Sequence, residues 1–390
     1  MAPISESDLS AAAATLAQDN SAFALDLYRR LAQTRGNLFF SPWSISSAFG
    51  MAQAGARQRT ADQMAEALHF TLEPELLHPA FARLDSMLEQ VQAAGNVTLN
   101  SANSLWPQKD YPFLESYLEL IAHYYGTEIS AVDYKSDREA ARGLINRWVE
   151  AKTNDKIKDL LQPGVLSAMT RLVLVNAIYF MGNWESPFDP DHTYDAPFYS
   201  GSSKSAKVPM MSQTEVFSYA DLDSLQLLQL PYRGDELSLL VLLPQERNGL
   251  ARLERGLTAS HLAEWRSRLV QQKVAVHLPR FKLTSEFQLG NTLRAMGMTD
   301  AFDPAAADFS GMDGQPGWLY IGAAIHKAFV DVNEVGTEAA AATALVMVAT
   351  SMPNWPTFRA DHPFIFLIQD NRTGSLLFVG RLVEQTGGEE

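Results

Sequence analysis

The sequence of 390 residues contains no cysteine. Disulfide bonds, thiolate metal sites and a cysteine nucleophile are therefore excluded. The eight histidines are scattered along the chain, and no two lie four residues apart as in a helical zinc site. We accordingly expect neither a structural metal nor a cofactor.

Basic residues are in short supply, with 31 Lys and Arg against 45 Asp and Glu and a net charge of -14. A surface this acidic repels phosphate backbones and anionic lipid, so neither a nucleic acid nor a membrane is expected as a partner. No hydrophobic run is long enough to span a bilayer, and residues 1–20 show no apolar segment behind a basic start.

Motifs for catalysis are also missing. The segment Gly50 to Gly55 has the glycine spacing of a phosphate-binding loop, but Ala56 and Arg57 follow where that loop needs a lysine and a hydroxyl. The sequence contains neither the G-x-S-x-G of an esterase nor the H-E-x-x-H of a metalloprotease. We predict a helix at this segment, and an enzyme is disfavoured.

Hydrophobic residues recur at three-to-four spacing in the first third of the chain, which predicts helices there. The predicted helices cover residues 21–32, a segment with Thr60 as its N-cap, and residues 74–93. A further helix is predicted near residues 250–270.

Strand patterns dominate the rest of the chain. The apolar run at residues 172–175 is typical of a central strand that is buried on both faces. No linker, repeat or low-complexity segment divides the chain, so we expect one mixed domain over residues 1–390, with helices early and antiparallel sheets later. The predicted strands are 97–106, 171–180, several within 215–243, 274–282, 326–332, 364–368 and 376–383.

The most unusual segment is residues 333–358, NEVGTEAAAATALVMVATSMPNWPTF. From Gly336 to Ser351 it carries a single charge, Glu338. Its alanines favour a helix by intrinsic propensity. The β-branched residues and prolines that follow favour an extended strand, whose small side chains would let it enter between two other strands. On the residues alone, both interpretations stay open.

Five motifs resemble those of the serpin family, in the order and at the spacing of the family, and the match covers nearly the whole chain. Singly they are not specific, but together they are. We expect a prokaryotic-like member of the family. The motifs are Asn37-Leu38-Phe39-Phe40-Ser41-Pro42-Trp43-Ser44, Asn176-Ala177-Ile178-Tyr179-Phe180-Met181-Gly182-Asn183-Trp184, His326-Lys327-Ala328, Gly336-Thr337-Glu338-Ala339-Ala340-Ala341-Ala342 and Asp361-His362-Pro363-Phe364.

The resemblance implies an α+β serpin fold, with about nine helices around three β-sheets, a large central sheet and an exposed reactive loop at about residues 336–358. It also implies that a serine protease acylates itself on the loop, which then inserts into the central sheet and distorts the tethered protease. The implied partner is a target serine protease. We expect a monomer that is secreted, periplasmic or extracellular, with the cytoplasm as the alternative.

Inhibitory members of the family need a hinge of small residues, whereas carriers and chaperones often have bulky, charged or proline residues there. By resemblance, the hinge of this chain has the inhibitory form. Protease inhibition is the favoured function, and a non-inhibitory binding, carrier or chaperone protein is the alternative. The hinge residues are Glu334, Gly336, Thr337, Glu338, Ala339, Ala340, Ala341 and Ala342.

Counted as in the family, the scissile bond is Thr350-Ser351, with cleavage at Val348, Ala349 or Met352 as alternatives. No Lys or Arg occurs between residues 327 and 359, so trypsin-like targets, whose specificity pocket binds a cation, are disfavoured. The small residues around the bond suit the shallow pocket of an elastase-like or subtilisin-like protease.

The resemblance assigns two further groups of residues. The first, the shutter, is a hydrogen-bonded cluster beneath the central sheet, and the second, the breach, lies where insertion begins. Within the breach, we expect Glu334 to pair with Arg280. The shutter consists of Ser41, Ser44, Asn176 and His326, and the breach of Trp184, Arg280 and Glu334.

Two positions depart from the family. Trp43 stands where a smaller residue is usual, and Val335 where a charged one is frequent. The predicted helix at residues 74–93 has Arg83 as its only Lys or Arg, so no glycosaminoglycan is expected as a partner.

Overall fold

The computed structural model describes residues 4–127, 129–200, 205–337 and 355–385. In these residues it has ten α-helices, six of which end before residue 153, and two short 3-10 helices. Helices are therefore concentrated early, as predicted. The α-helices are α1 (Glu6–Leu31), α2 (Pro42–Gly55), α3 (Gln58–Leu68), α4 (Pro74–Ala93), α5 (Glu115–Tyr125), α6 (Arg138–Lys152), α7 (Leu250–Gly256), α8 (Ala259–Ser267), α9 (Leu289–Ala295) and α10 (Ser310–Asp313).

Fourteen strands are present in the described residues, and they form two sheets. The strands are β1 (Leu38–Phe40), β2 (Val97–Pro107), β3 (Leu172–Asn183), β4 (Tyr194–Tyr199), β5 (Ser205–Asp221), β6 (Leu225–Pro231), β7 (Leu237–Pro244), β8 (Val270–Pro279), β9 (Phe281–Gln288), β10 (Ala323–Val332), β11 (Gly336–Thr337), β12 (Thr357–Arg359), β13 (Phe364–Asp370) and β14 (Leu376–Leu382).

The five-stranded sheet has the order β2-β3-β11-β10-β9. Its strand β3 is buried along nearly its whole length, as the apolar run predicted. β3 and β10 are also hydrogen-bonded directly to each other, in parallel, from Val173 with Ala323 to Tyr179 with Phe329. The other pairs in this sheet are antiparallel.

The second sheet has nine strands, in the order β1-β14-β13-β7-β6-β5-β8-β12, with β4 paired to β5. Strand β5 is 17 residues long and pairs along most of its length with β8 and β4, but with β6 only over Ser218 to Asp221. Because of this short pairing, strands that were expected to form two smaller sheets belong to one sheet. In the described residues there are accordingly two hydrogen-bonded sheets rather than three.

Two buried hydrophobic clusters hold these layers together. The larger cluster contains Phe23 of α1, Phe49 of α2 and most inward-facing residues of both sheets. The smaller cluster lies on the other face of the five-stranded sheet and contains Ile145 and Val149 of α6 together with Val175 of β3. The five-stranded sheet is therefore covered on both sides.

Several predicted element bounds need correction. α1 begins at Glu6 instead of about residue 21, because the alanine-rich start gives a weak amphipathic pattern even though Leu16 is fully buried. Thr60 is not an N-cap: α3 begins at Gln58, and the Thr60 hydroxyl accepts from the Asp308 amide at 2.9 Å. The helix expected near residues 250–270 is two helices, with Thr258 capping the second.

Other predictions of local structure are confirmed. The segment from Gly50 to Gly55 lies within α2, as expected of a helix rather than a P-loop. At the start of α2, the Ser41 side chain caps the helix by accepting from the Ser44 amide, and Pro42 takes the first helical position. No helix among the described residues combines the length and apolarity that crossing a bilayer requires.

Candidate functional site at the split end of the five-stranded sheet

Strands β3 and β10 separate at one end, and the two-residue strand β11 lies between them. Gly336 pairs with Asn183 of β3, and Thr337 pairs with both Gly182 of β3 and Val332 of β10. Both pairings are antiparallel. Beyond this end, β3 and β10 resume their direct parallel pairing. The sheet is therefore split at the point where β11 enters it.

Gly336 fits this position because it has no side chain. A Cβ added there would be in hard contact with the carbonyl oxygen of Gly182 and would lie 2.7 Å from the Cα of Asn183. Both atoms belong to the backbone of β3, so neither can move aside without displacing that strand. A glycine is required for the backbone to approach this closely.

Thr337 turns its side chain into the core. It is fully buried, and its hydroxyl is hydrogen-bonded to the Tyr232 hydroxyl at 2.9 Å. The Tyr232 ring is stacked on Trp184, with centroids 4.7 Å apart and planes 10° from parallel. Burial raises the pKa of Tyr232, so its hydroxyl keeps its proton and can serve as either donor or acceptor.

Trp184 fixes the turn that leads into β11. Its indole Nε1 donates to the Asn333 carbonyl at 2.9 Å, and its backbone N–H donates to the Val335 carbonyl at 2.9 Å. The turn is closed by the Asn333 amide, which donates to the Gly336 carbonyl at 2.8 Å. The bulky, buried tryptophan therefore determines the direction in which the chain enters the sheet.

Glu334 lies in the same turn and is 7% exposed. Its Oε1 accepts from the Thr193 hydroxyl at 2.7 Å and lies 3.5 Å from Nη1 of Arg280. The backbone amide of Phe188 donates to the Glu334 carbonyl at 2.7 Å. The three breach residues therefore lie around one turn, but Arg280 is half exposed and its ion pair with Glu334 is weak.

The four shutter residues also meet, below the split end. Nδ2 of Asn176 donates to both the carbonyl and the hydroxyl oxygen of Ser44, each at 2.7 Å. The Ser41 amide donates to Nε2 of His326 at 3.0 Å, and Nδ1 of His326 is hydrogen-bonded to Oδ1 of Asn176. The cluster therefore links β3 and β10 to each other and to the start of α2.

The hydrogen bonds of His326 determine its tautomer. Since Nε2 accepts from the Ser41 amide, the ring proton lies on Nδ1 and is donated to Asn176. Burial lowers the pKa of His326 to about 3, because the site is fully desolvated. The ring is therefore neutral at physiological pH, and protonation would bring an Nε2 proton against the Ser41 amide.

Three residues of this region were not found from the sequence. Asn103 pairs with Asn176 across β2 and β3, and its Oδ1 accepts from the Ser44 hydroxyl at 2.9 Å. Tyr232 and Thr193 come from distant parts of the chain and lie in no recognised motif. The alternating pattern of β2 placed Asn103 on a strand, but it gave no indication of the partner strand.

The other predicted site residues lie outside the described residues. These are the later hinge residues Glu338, Ala339, Ala340, Ala341 and Ala342, the reactive bond Thr350-Ser351, and the alternative cleavage positions Val348, Ala349 and Met352. Of the hinge, Glu334, Gly336 and Thr337 are described.

Comparison with known proteins gives a family for this arrangement. The family model "Serpin (serine protease inhibitor)" matches residues 18–385. Leukocyte elastase inhibitor of Equus caballus is 43% identical over 377 residues, covering 94% of this chain and 98% of that protein. Human Serpin B3 is 40% identical over 388 residues, with the same two coverages. The chain belongs to the serpin family, a family of serine protease inhibitors.

A solved structure agrees in fold. Human thyroxine-binding globulin, crystallised as a complex, has a TM-score of 0.87 at 31% identity and covers 96% of this chain and 100% of its own. The expected α+β serpin fold is thereby confirmed. The expectation of a prokaryotic-like member is not borne out, because these relatives at about 40% identity come from vertebrates.

Proposed function

We propose that the protein is a suicide substrate for a serine protease rather than an enzyme. A protease would cleave near Thr350-Ser351, the loop would insert between β3 and β10, and the acylated protease would be trapped. The observation that carries this proposal is the position of β11, since Gly336 and Thr337 already lie between the two strands that must part.

The strand register supports insertion in a single, consistent alignment. Each step forward from Thr337 corresponds to one step back along β10 and along β3. In that register Ala340 would lie between Phe329 and Tyr179, which now pair with each other. Continued further, Val346 would lie between Ala323 and Val173, the other end of the present parallel pairing. Both strands give the same alignment, so no register shift is needed.

Insertion would also improve the hydrogen bonding of the sheet. A strand entering as β11 does runs antiparallel to both neighbours, so it would replace one parallel pairing with two antiparallel ones. Antiparallel pairing is slightly more stable per residue than parallel pairing. The roughly 14 residues from Thr337 to Thr350 would carry the cut end about 45 Å along the sheet.

The composition of the hinge suits this path. Thr337 faces the larger core, so alternate residues from Ala339 onwards would face it too. Side chains at the intervening positions would meet the side covered by α6. The run Ala339 to Ala342 offers small side chains to both faces, which limits the steric cost of opening the sheet.

The proposed target is an elastase-like or subtilisin-like protease. Thr350 and its neighbours are small, and no basic residue lies in the loop that could enter a trypsin-like pocket. Relatives that are about 40% identical bear the name leukocyte elastase inhibitor, which favours the elastase-like class.

The test is incubation of the protein with a panel of serine proteases, followed by denaturing electrophoresis and mass spectrometry of the released peptide. A covalent complex with an elastase-like or subtilisin-like protease, with release of a peptide that begins at Ser351, is expected. Cleavage without any complex, across the whole panel, would contradict the proposed inhibition.

Thr350→Arg tests the bond directly. The variant should gain trypsin inhibition and lose most of its elastase inhibition, because its arginine meets the carboxylate of the trypsin specificity pocket. Inhibition rates for both enzymes are the measurement. Unchanged elastase inhibition, with trypsin cutting elsewhere, would show that Thr350 does not occupy the specificity pocket.

A non-inhibitory carrier is the second candidate, favoured by the likeness to thyroxine-binding globulin. The two functions differ in what cleavage does. A carrier needs no covalent complex, whereas an inhibitor must form one before the acyl bond is hydrolysed. The protease panel therefore separates them.

A further inference from the structure

An exposed aromatic side chain lies immediately after the undescribed part of the loop. Trp355 is 39% exposed, and its ring lies beside Nζ of Lys273, which is 5.3 Å from the ring centroid. Lys273 belongs to β8 and is paired in the sheet with Val216 of β5, a residue that is 57% exposed. We call these three residues, Trp355, Lys273 and Val216, the Trp355 patch.

The patch combines apolar surface with an available positive charge. Among the described residues, Lys273 forms no ion pair within 4.0 Å, and its one specific contact is with Trp355. Glu215 is next to Val216 in β5, and adjacent residues of a strand point to opposite faces, so this carboxylate does not share the face. The chain as a whole has a charge of -14, which makes a basic and aromatic surface unusual on it.

The position of the patch determines what can reach it. Trp355 follows Ser351 by four residues, so it lies at most about 14 Å from the proposed cleavage site, even along a fully extended chain. A protease–inhibitor interface covers about 800 Å² on each partner, equivalent to a disc of about 16 Å radius. A protease that docks on the proposed bond therefore extends over Trp355.

We propose that the Trp355 patch is a secondary contact surface for the body of the target protease, on the C-terminal side of the cleaved bond. This rests on the proposed inhibitory function and deepens it. The complementary surface on the protease presents a carboxylate to Lys273 and an apolar side chain to Trp355 and Val216. Tryptophan is among the residue types that most often dominate the binding energy of such interfaces.

The patch acts on recognition and leaves trapping unchanged. It lies on β8, β5 and the segment before β12, which are part of the nine-stranded sheet and do not border the split end between β3 and β10. Its loss should therefore slow the encounter with the protease, and the fraction of encounters that end in a trapped complex should stay the same.

The experiment uses the full chain and measures the second-order rate of inhibition and the stoichiometry. Trp355→Ser should lower the rate about fivefold to tenfold. Lys273→Glu should lower it about tenfold in dilute buffer and much less at high salt, because screening weakens the charge contact. The control is Trp318→Ser, a tryptophan that is 56% exposed and lies before the start of β10, at the opposite end of that strand from β11.

A peptide of residues 344–358 tests whether Trp355 acts through the protease active-site cleft instead. The surface contact predicts that the parent peptide and its Trp355→Ser version are cleaved at the same rate, since neither carries β8 or β5.

Equal inhibition rates for the parent, Trp355→Ser and Lys273→Glu would overturn the proposal while leaving inhibition itself intact. If Trp355→Ser slowed cleavage of the peptide by as large a factor as it slows inhibition by the full chain, the proposal would also be overturned. Failure of the parent to trap any protease would instead refute the proposed function.

Discussion

At the residue scale, the hydrogen bond between His326 and Asn176 is the side-chain link that joins β10 to β3 within the shutter. The same two residues form one of the parallel backbone pairs of these strands. Any strand that enters between β3 and β10 must break this link. The shutter therefore resists separation of β3 from β10.

His326→Ala should lower the free energy of unfolding by about 1–3 kcal/mol, because the Ser41 amide and Asn176 Oδ1 lose their buried partner. The variant should also polymerise or become latent faster on warming. Denaturant melts and polymerisation rates are the measurements, with the exposed His123→Ala as control. Unchanged values for both would mean that the shutter does not hold the strands together.

His326 should also contribute to the pH dependence of stability. Its folded pKa of about 3 lies below the unfolded value of 6.5, so the unfolded chain takes up the proton more readily. The stabilising contribution is complete above pH 6.5 and is lost as the pH falls towards 3, at up to about 1.4 kcal/mol per pH unit.

Other groups titrate over the same range, so a comparison of two variants is needed. Burial lowers the pKa of His78 and of His277 to about 4, which acts in the same direction, and raises the pKa of Asp85 to about 7, which acts in the opposite one. His326→Gln keeps His78, His277 and Asp85, so their contributions cancel when its stability is compared with that of the parent protein. The stability difference between the two proteins should therefore shrink from pH 6.5 to pH 4; a constant difference would contradict the assigned protonation state.

The sequence predicted the members of the shutter but not all of its contacts. Ser41, Asn176 and His326 lie in recognisable motifs, and the structure brings them together. Asn103 was missed because its role depends on the pairing of β2 with β3, which local alternation cannot specify. Trp43 was noticed only as an unusual residue; it is buried and packs against Phe81 at 5.5 Å.

At the element scale, the turn that leads into β11 is held from three sides. Trp184 binds the turn carbonyls, Phe188 binds the Glu334 carbonyl, and Thr193 with Arg280 binds the Glu334 carboxylate. The carboxylate contacts are the ones that depend on charge. They connect the turn to β8 and β9, between which Arg280 lies.

Glu334→Lys should raise the rate of premature polymerisation or latency, because it places a like charge beside Arg280 and removes the bond to Thr193. The double variant with Arg280→Glu should restore only part of the parental rate, since the Thr193 bond stays lost. Rates of thermal polymerisation of the single and double variants are the measurement. If the effects of Glu334→Lys and Arg280→Glu on the polymerisation rate are strictly additive, the ion pair between these two residues does not stabilise the turn.

Element bounds were predictable where periodicity was strong and the ends carried local signals. α4 runs over Pro74–Ala93 as predicted. The predictions failed where a tertiary contact decides the bound: Thr60 binds the chain at Asp308 instead of capping its helix. The helix break between α7 and α8 lies at Thr258, which caps α8. The hydrophobic pattern of residues 250–270 did not reveal this break.

At the scale of the whole molecule, insertion requires the sheet to open beneath α6. Val173, Val175, Ala177 and Ile325 of β3 and β10 share a cluster with α6 and the residues after it. Lys327 of β10 also donates to the Lys158 carbonyl at 2.8 Å. These contacts must shift when β3 and β10 separate, so the layer over the sheet adds to the barrier against insertion.

The most direct test of the central claim, that the loop inserts through the split end, is the stoichiometry of inhibition of Thr337→Arg. Thr337 is fully buried, and an arginine there would bring an unpaired charge into the core at a cost of several kcal/mol. Each 1.4 kcal/mol or so on the insertion barrier slows insertion about tenfold, while hydrolysis of the acyl bond is unchanged.

Thr337→Arg should therefore be cleaved at the same bond, release active protease and form almost no covalent complex. Thr337→Val keeps the side-chain volume and should trap protease with nearly parental stoichiometry. If Thr337→Arg also traps protease with parental stoichiometry, the loop does not insert between β3 and β10 at this position.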